Sequence, residues 1–304
     1  RVHLEEDTGK LTHLEDEPGS LVDFNRSGVP LLEIVSEPDM FTIEQTRSYA
    51  TKVRQIVRYL GVNSGDLEKG VIRFEANVSV RPAGSQQLGT RTEIKNLNSF
   101  RALTDSIAYE IERQSAILAA GGRVIQDTMG WNESRRQTFS QRGKEEAHDY
   151  RYFPEPDLPP LEIGDAWIAQ VERDLPELPD AKIARYITDL GLSRYEADVL
   201  TEDRVIAEWF EAAVGAGGQP KPVSNWMINV LFGQMNEYGH SIDQIAVRPE
   251  MLVDLIALVD EAVINANTGK EVLAEMFASG KVAREIVDEK GLAQISDEAQ
   301  IGAL

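Results

Sequence analysis

Carboxylates recur in this chain inside short apolar stretches that read as strands. Glu5 and Glu6 stand in Val2-His-Leu-Glu-Glu6, Glu33 in Val29-Pro-Leu-Leu-Glu-Ile-Val-Ser36, and Glu75 in Val71-Ile-Arg-Phe-Glu-Ala-Asn-Val-Ser-Val-Arg81. If those strands are neighbours, Glu5, Glu6, Glu33 and Glu75 form a cluster of hard oxygen ligands suited to Mg²⁺. Glu33 lies in a run that is apolar on both faces, where a carboxylate is costly unless paired, protonated or bound to a cation. The competing readings are plain: a solvated turn around Glu5-Glu-Asp7, and a strand-end salt bridge for Glu33.

A second set of residues suits anions. Strand alternation puts Arg73, Glu75, Asn77, Ser79 and Arg81 on one face of Val71–Arg81, with Phe74, Ala76, Val78 and Val80 on the other. In Arg91–Leu97 the same rule groups Arg91, Glu93 and Lys95 against Thr92, Ile94 and Asn96. That strand runs through Asn96-Leu-Asn-Ser-Phe100 into a helix start, whose open N–H groups and dipole favour a phosphate. Asn98 or Ser99 is expected to cap the helix, which is compatible with phosphate binding. The bland reading is an antiparallel sheet with one wet face.

Other chemistries find little support. The four histidines lack metal-ligand spacing such as HxxxH, and no GxxxxGK[ST] or GxSxG occurs. With no cysteine, thiolate zinc sites and disulfides are excluded, which fits a reducing cytoplasm. No run of apolar residues is long enough to span a membrane. Lys and Arg number 31 against 51 Asp and Glu, a formal charge of −20, so any contact with nucleic acid must be local.

The elements that must position these residues fall into two halves. Candidate strands are Val2–Glu6, Ser20–Phe24, Leu31–Ser36, Val71–Arg81 and Arg91–Leu97, with weaker ones at Val124–Asp127, Gln137–Gln141 and Leu161–Ile163. Thr42-Ile-Glu-Gln45 reads as a capping box opening a helix with Tyr49, Val53, Ile56, Val57 and Leu60 at helical spacing, stopped by Gly61. A second helix from Ser99 carries Leu103, Ile107, Ile111 and Leu118 and ends at Gly121-Gly122. The proline-dense Tyr150–Pro160 reads as a packed loop closing the first domain. After Leu175-Pro-Glu-Leu-Pro179 the pattern turns helical: 180–190, 193–213, 223–238, 249–266, 269–278 and 281–289. We therefore expect an α+β protein: a mostly antiparallel β-sheet cradle with flanking helices over 1–174, an all-α domain over 175–293, and a stub over 294–304. The 304-residue length suits two domains, and the start at Arg1 leads us to expect a preceding N-terminal part.

Read together, HLEEDTGKLTH (His3–His13), SLVDFNRSGVPLLEIVSEPD (Ser20–Asp39), RFEANVSVRP (Arg73–Pro82), GTRTEIKNLNSF (Gly89–Phe100) and DYRYFPEPDLPPL (Asp149–Leu161) strongly resemble one family. It is that of the B subunit of the bacterial glutamyl/aspartyl-tRNA amidotransferase, whose archaeal relative is the E subunit of GatDE. The likeness continues through LPELPDAKIARY, NWMINVLF and GLAQISDEA. The resemblance implies a cytoplasmic carbon–nitrogen ligase that uses glutamine as nitrogen donor. ATP phosphorylates the side-chain carboxylate of glutamate or aspartate mischarged on tRNA(Gln) or tRNA(Asn). Ammonia released by a partner amidase A subunit then displaces phosphate, within a heterotrimer that also holds a small C subunit.

By the same resemblance, Glu6, Glu33 and Glu75 match positions for Mg²⁺ ligands, although many relatives carry Asp at the last. Lys95 joins them as a catalytic residue. Arg73, Asn77, Asn96, Asn98 and Glu5 are assigned to ATP or substrate, and Glu5 or Asp7 to stripping a proton from ammonium. The family also has a further N-terminal region and a C-terminal tail domain. Its helical domain helps to grip tRNA, for which Lys182, Arg185, Arg194, Lys281 and Arg284 are candidates; solvated helix faces explain them equally well.

Overall fold

In the computed structural model, residues 1–7, 9–13, 19–143 and 161–294 are described. The Tyr150–Pro160 loop and most of the C-terminal stub lie outside these residues. Strand β1 (Val2–Glu6) pairs antiparallel with β4 (Pro30–Ile34), and β2 (Lys10–His13) with β3 (Ser20–Asp23). Each pair is a two-stranded ribbon. On the first ribbon Val2, Leu4, Leu32 and Ile34 are exposed, and on the second Leu21 and Val22 are.

Helix α1 (Ile43–Tyr59) opens on the expected capping box: Thr42 Oγ1 accepts from Gln45 N, and Gln45 Oε1 accepts from Thr42 N. The main sheet has the order β5 (Phe74–Val78), β6 (Thr92–Leu97), β7 (Asp127–Asn132) and β8 (Gln137–Gly143). Helix α2 (Phe100–Ala119) connects β6 to β7. A connection of that length lets β7 run parallel to β6, whereas the other two pairs are antiparallel. Ala76, Val78, Ile94 and Leu97 of the sheet pack against Ala102, Leu103 and Ile107 of α2 and Ala50 of α1. The other face carries Glu75, Asn77, Glu93 and Lys95, with the Phe139 ring also exposed on it.

The second half is helical: α3 (Asp165–Asp174), α4 (Pro179–Thr188), α5 (Arg194–Leu200), α6 (Arg204–Gly215), α7 (Pro220–Trp226), α8 (Phe232–Tyr238), α9 (Pro249–Asp260), α10 (Ala266–Ser279) and α11 (Ala283–Lys290). A π-helical turn, Met227–Leu231, joins α7 to α8. Tyr186, Leu200, Phe210, Leu252, Leu255 and Leu273 are fully buried in one core. The chain is thus α+β, with an antiparallel-rich sheet half followed by helices.

Several expectations need correcting. Leu161–Ile163 is not a strand, and α3, with Trp167 and Val171 exposed, follows it. The expected helix over 193–213 is two helices, because Thr201 closes α5 and Asp203 caps α6. The expected helix over 249–266 ends at Asp260, and Ala266 already starts the next. On α2 the buried stripe is Leu103, Ser106, Ile107, Glu110 and Gln114, while Ile111 and Leu118 are exposed.

Candidate active site

The main sheet carries Glu75, Asn77, Lys95 and Asn96 of the expected site on β5 and β6. On β5, Glu75 and Asn77 are exposed while Ala76 and Val78 are buried, as alternation requires. Across the pair the register slips: Phe74 faces Leu97, yet Ala76 faces Ile94. Glu75 is therefore opposed by two residues, Lys95 and Asn96, which is a β-bulge. Asn96 takes the extra position with φ 61°, a left-handed conformation that Asn tolerates better than other side-chain-bearing residues.

The bulge changes which residues share a face. Asn96 does not join Thr92 and Ile94 in the interior, as simple alternation had it; Leu97 takes that place and Asn96 is exposed. Lys95 and Asn96 therefore both flank Glu75. Lys95 Nζ lies 3.3 Å from Glu75 Oε2 and 3.6 Å from Glu93 Oε1. Glu93 is held in turn by Thr128, whose Oγ1 donates to Glu93 Oε2 at 3.2 Å. The result is a half-exposed ammonium between two carboxylates, with the Asn77 and Asn96 amides beside it. Such a group neutralises an arriving anion, and amides can donate to its oxygens. Gly130 on β7, in register with Lys95, lies under the Phe139 ring and the Gln141 amide; a Cβ there would sit 2.5 Å from the ring, so no larger residue fits.

Beyond β6, Asn98 is exposed and Ser99 is the cap of α2, accepting from Ala102 N at 2.9 Å. The expected start of the helix is therefore in place beside the polar face, with Asn98 not consumed by capping.

The first ribbon behaves differently. Its register pairs His3 with Glu33, Glu5 with Leu31 and Glu6 with Pro30. Directly opposed residues share a face, so Glu33 and Glu5 lie on one side of the ribbon and Glu6 on the other. Glu33 is exposed, so its charge carries no burial cost that a cation would have to offset. Among the described residues, no three His, Asp or Glu side chains are grouped to hold a metal ion. The expected Mg²⁺ trio of Glu6, Glu33 and Glu75 is thus not brought together, and Glu75 is instead paired with Lys95.

Asp7 acts as a tie. Its carboxylate lies 2.9 Å from Arg26 Nε and 3.6 Å from Arg73, and Arg26 also donates to Gly70 O. This joins the first ribbon to the chain entering β5 and occupies Arg73, which had been assigned to phosphate.

A buried carboxylate behind the sheet was not anticipated from the sequence. Glu110 of α2 is fully buried and accepts from Thr92 Oγ1 at 2.7 Å, Thr138 Oγ1 at 3.2 Å and Gln114 Nε2 at 3.0 Å, with Arg113 Nε at 3.0 Å. Burial pushes its pKa up, but the hydrogen bonds of Arg113, Thr92 and Gln114 outweigh this and hold it below the ordinary glutamate range. Gln114 also donates to Val78 O at 3.0 Å. Helix α2 thereby grips β5, β6 and β8 from behind. The available signal was a Glu and a Gln on the same helical stripe as Leu103 and Ile107.

In the helical half, four of the five basic candidates are ion-paired. Lys182 is buried against Glu211 at 2.7 Å, Arg185 pairs with Glu177 at 2.5 Å, Arg194 with Asp198 at 2.9 Å and Lys281 with Glu289 at 2.6 Å. Burial of Lys182 removes it as a phosphate contact.

Comparison with known proteins agrees with the motif order. The model of the GatB/GatE catalytic domain matches residues 1–169, and that of a GatB domain matches 208–304. The B subunit of an aspartyl/glutamyl-tRNA(Asn/Gln) amidotransferase from Moorella thermoacetica is 54% identical over 306 residues, 100% of this chain and 64% of its own length. Proteins of the same name from Thermodesulfovibrio yellowstonii and Herpetosiphon aurantiacus are 51% and 52% identical, over 99% and 98% of the chain. The chain spans 63% and 62% of their lengths. Among the described residues, no helix is long and apolar enough to cross a membrane. With half of all positions identical across essentially the whole chain, and the polar sheet face inside the matched catalytic domain, the chain belongs to the GatB/GatE family.

Proposed function

We propose that the full-length protein is the tRNA-handling ligase subunit of a cytoplasmic amidotransferase heterotrimer, working with an amidase A subunit and a small C subunit. In this reading the side-chain carboxylate of a glutamate or aspartate mischarged on tRNA(Gln) or tRNA(Asn) attacks the γ-phosphorus of ATP, and ADP leaves. Ammonia from glutamine then attacks the acyl carbon, phosphate leaves, and a proton is lost to give the amide. Two anions must meet in the first step, so catalysis rests on positioning and charge neutralisation.

The observation that carries this reading is the Glu75–Lys95–Glu93 constellation at the bulge, flanked by Asn77 and Asn96. Lys95 is the cation that would meet the carboxylate or phosphoryl oxygens. Its two acidic neighbours fix its position before substrate arrives. Asn77, Asn96 and Asn98 would donate to phosphate or ribose oxygens, with the start of α2 beside them. Glu6, Glu33 and Glu75 do not fit one metal cradle here, so no step is assigned to Mg²⁺. The helical half is proposed to hold the tRNA.

The test is amide formation and ATP hydrolysis by the full-length complex with mischarged tRNA. Lys95→Met should lower kcat/KM by about 100-fold or more, as for loss of an electrostatic catalytic group, with thermal stability unchanged. Activity retained in Lys95→Met would sink the assignment. A second reading, a non-catalytic tRNA-binding scaffold, draws on the separation of Glu6 and Glu33 onto opposite faces. It predicts full activity in Glu6→Ala and Glu33→Ala as well as in Lys95→Met.

A further inference from the structure

The sheet half and the helical half have separate hydrophobic cores, built from residues 50–107 and 183–287. Directed polar contacts join them. Four residues on α1 reach across: Lys52 Nζ to Asp180 Oδ1 at 2.6 Å, Gln55 Nε2 to Thr201 O at 2.8 Å, Arg58 to Asp203, and Tyr59 Oη to Thr201 O at 2.7 Å. Tyr59 is fully buried although it lies at the end of a helix.

The groups they seize are those that a helix corner leaves open. Thr201 ends α5, so its carbonyl has no partner further along the helix; it receives both α1 donors instead. Asp203 caps α6 and pairs with Arg58 at the same time. Apolar contact is non-directional and lets two bodies slide. Hydrogen bonds to a buried carbonyl fix orientation. Helix α1 also contributes Ala50 to the sheet core, so it is anchored at both ends of the link.

We propose that α1 is the rigid coupling between the two halves, with Gln55 and Tyr59 as positioning residues that keep tRNA held by the helical half in register with the polar sheet face. The inference rests on the functional reading above. Neither residue touches substrate; their effect is on the angle between the halves.

The test uses the full-length subunit in its complex, carrying Gln55→Leu and Tyr59→Phe together, with Tyr59→Phe alone as the milder variant. Spin labels at Ser115→Cys on α2 and Glu237→Cys on α8, both exposed positions, report the separation of the halves. The expected result is a broadened label-distance distribution and a fall of about tenfold in amide formation at saturating mischarged tRNA. The tRNA Kd and RNA-independent ATP hydrolysis should stay within about twofold, because binding and chemistry residues are intact. An unchanged distance distribution, unchanged turnover, or a parallel fall of affinity, ATP hydrolysis and Tm would overturn the coupling. A wild-type complex that forms no amide would overturn the functional reading instead, and the label distances would still decide whether the joint is rigid.

Discussion

Replacing Glu110 isolates the contribution of the clamp behind the sheet. In Glu110→Met the helix keeps its apolar contacts but loses an ionised acceptor that serves Thr92, Thr138, Gln114 and Arg113. Removing one partner of a buried charge pair costs about 3–5 kcal/mol. The cost here belongs at the lower end, because Arg113 is 29% exposed and can turn to water, and Thr92 keeps its bond from Gln114. That amounts to about 3 kcal/mol, or roughly 100-fold in a local opening constant. Glu110→Gln keeps the shape but sets an NH₂ among donors, and should cost about 1–2 kcal/mol. The assay is amide hydrogen exchange of the full-length subunit, followed in peptides from β6 and α2 and corrected for intrinsic rate. The carboxyl's pKa is depressed in the fold, so its stabilisation is present above the unfolded glutamate value and lost as pH falls through the folded one. The wild type should therefore lose protection in β6 on acidification below about pH 4.5, and Glu110→Gln should show no such loss. Less than about fivefold change in both variants, or a loss spread equally over the helical half, would refute the clamp.

Asn96 offers a cleaner separation of backbone from side chain. Asn96→Gly satisfies φ 61° and should preserve the fold while removing the amide, whereas Asn96→Val should cost about 1–2 kcal/mol in denaturant unfolding through left-handed strain. If Asn96→Gly loses amide-forming activity with stability intact, the side chain is part of the site. In the helical half, burial raises the Glu196 carboxyl, but the Lys221 and Ser193 hydrogen bonds bring it down to about 2. That stabilisation is present above about pH 4.5 and lost as pH falls towards 2, so Lys221→Met should flatten the acid arm of a melting-temperature profile. The effect is about 1–2 kcal/mol once the half-exposed Lys221 is discounted for screening.

What could be read locally was read well. Thr42 and Ser99 cap their helices because a hydroxyl three residues before an N–H is a short-range contact. The alternation of Phe74–Val78 placed Glu75 and Asn77 correctly, and it needs only the pleat. Apart from helix breaks such as the one at Thr201–Asp203, the failures are non-local or turn on one inserted residue. The Asn96 bulge flips the face of everything after it, and nothing in Thr-Glu-Ile-Lys-Asn-Leu announces it except an Asn able to take positive φ. Whether Glu6 and Glu33 meet depends on ribbon register, which pairs positions some 28 residues apart. The role of Glu110 is not legible in the sequence because its partners Thr92 and Thr138 come from two strands that pattern alone cannot place behind it.

The two ribbons at the start of the chain bear on its biosynthesis. A two-stranded ribbon is marginal in water, and each of these has apolar side chains exposed with no third strand among the described residues. Main-chain donors and acceptors along such edges will zip onto any compatible strand, including a copy of themselves. Leu4, Leu32 and Ile34 make that misassembly adhesive. On the ribosome these segments emerge before the sheet and helices that follow them, so their apolar edges stay exposed while that later part of the chain is still being made. A holdase bound to such an edge during synthesis would keep it from pairing with a second copy of itself.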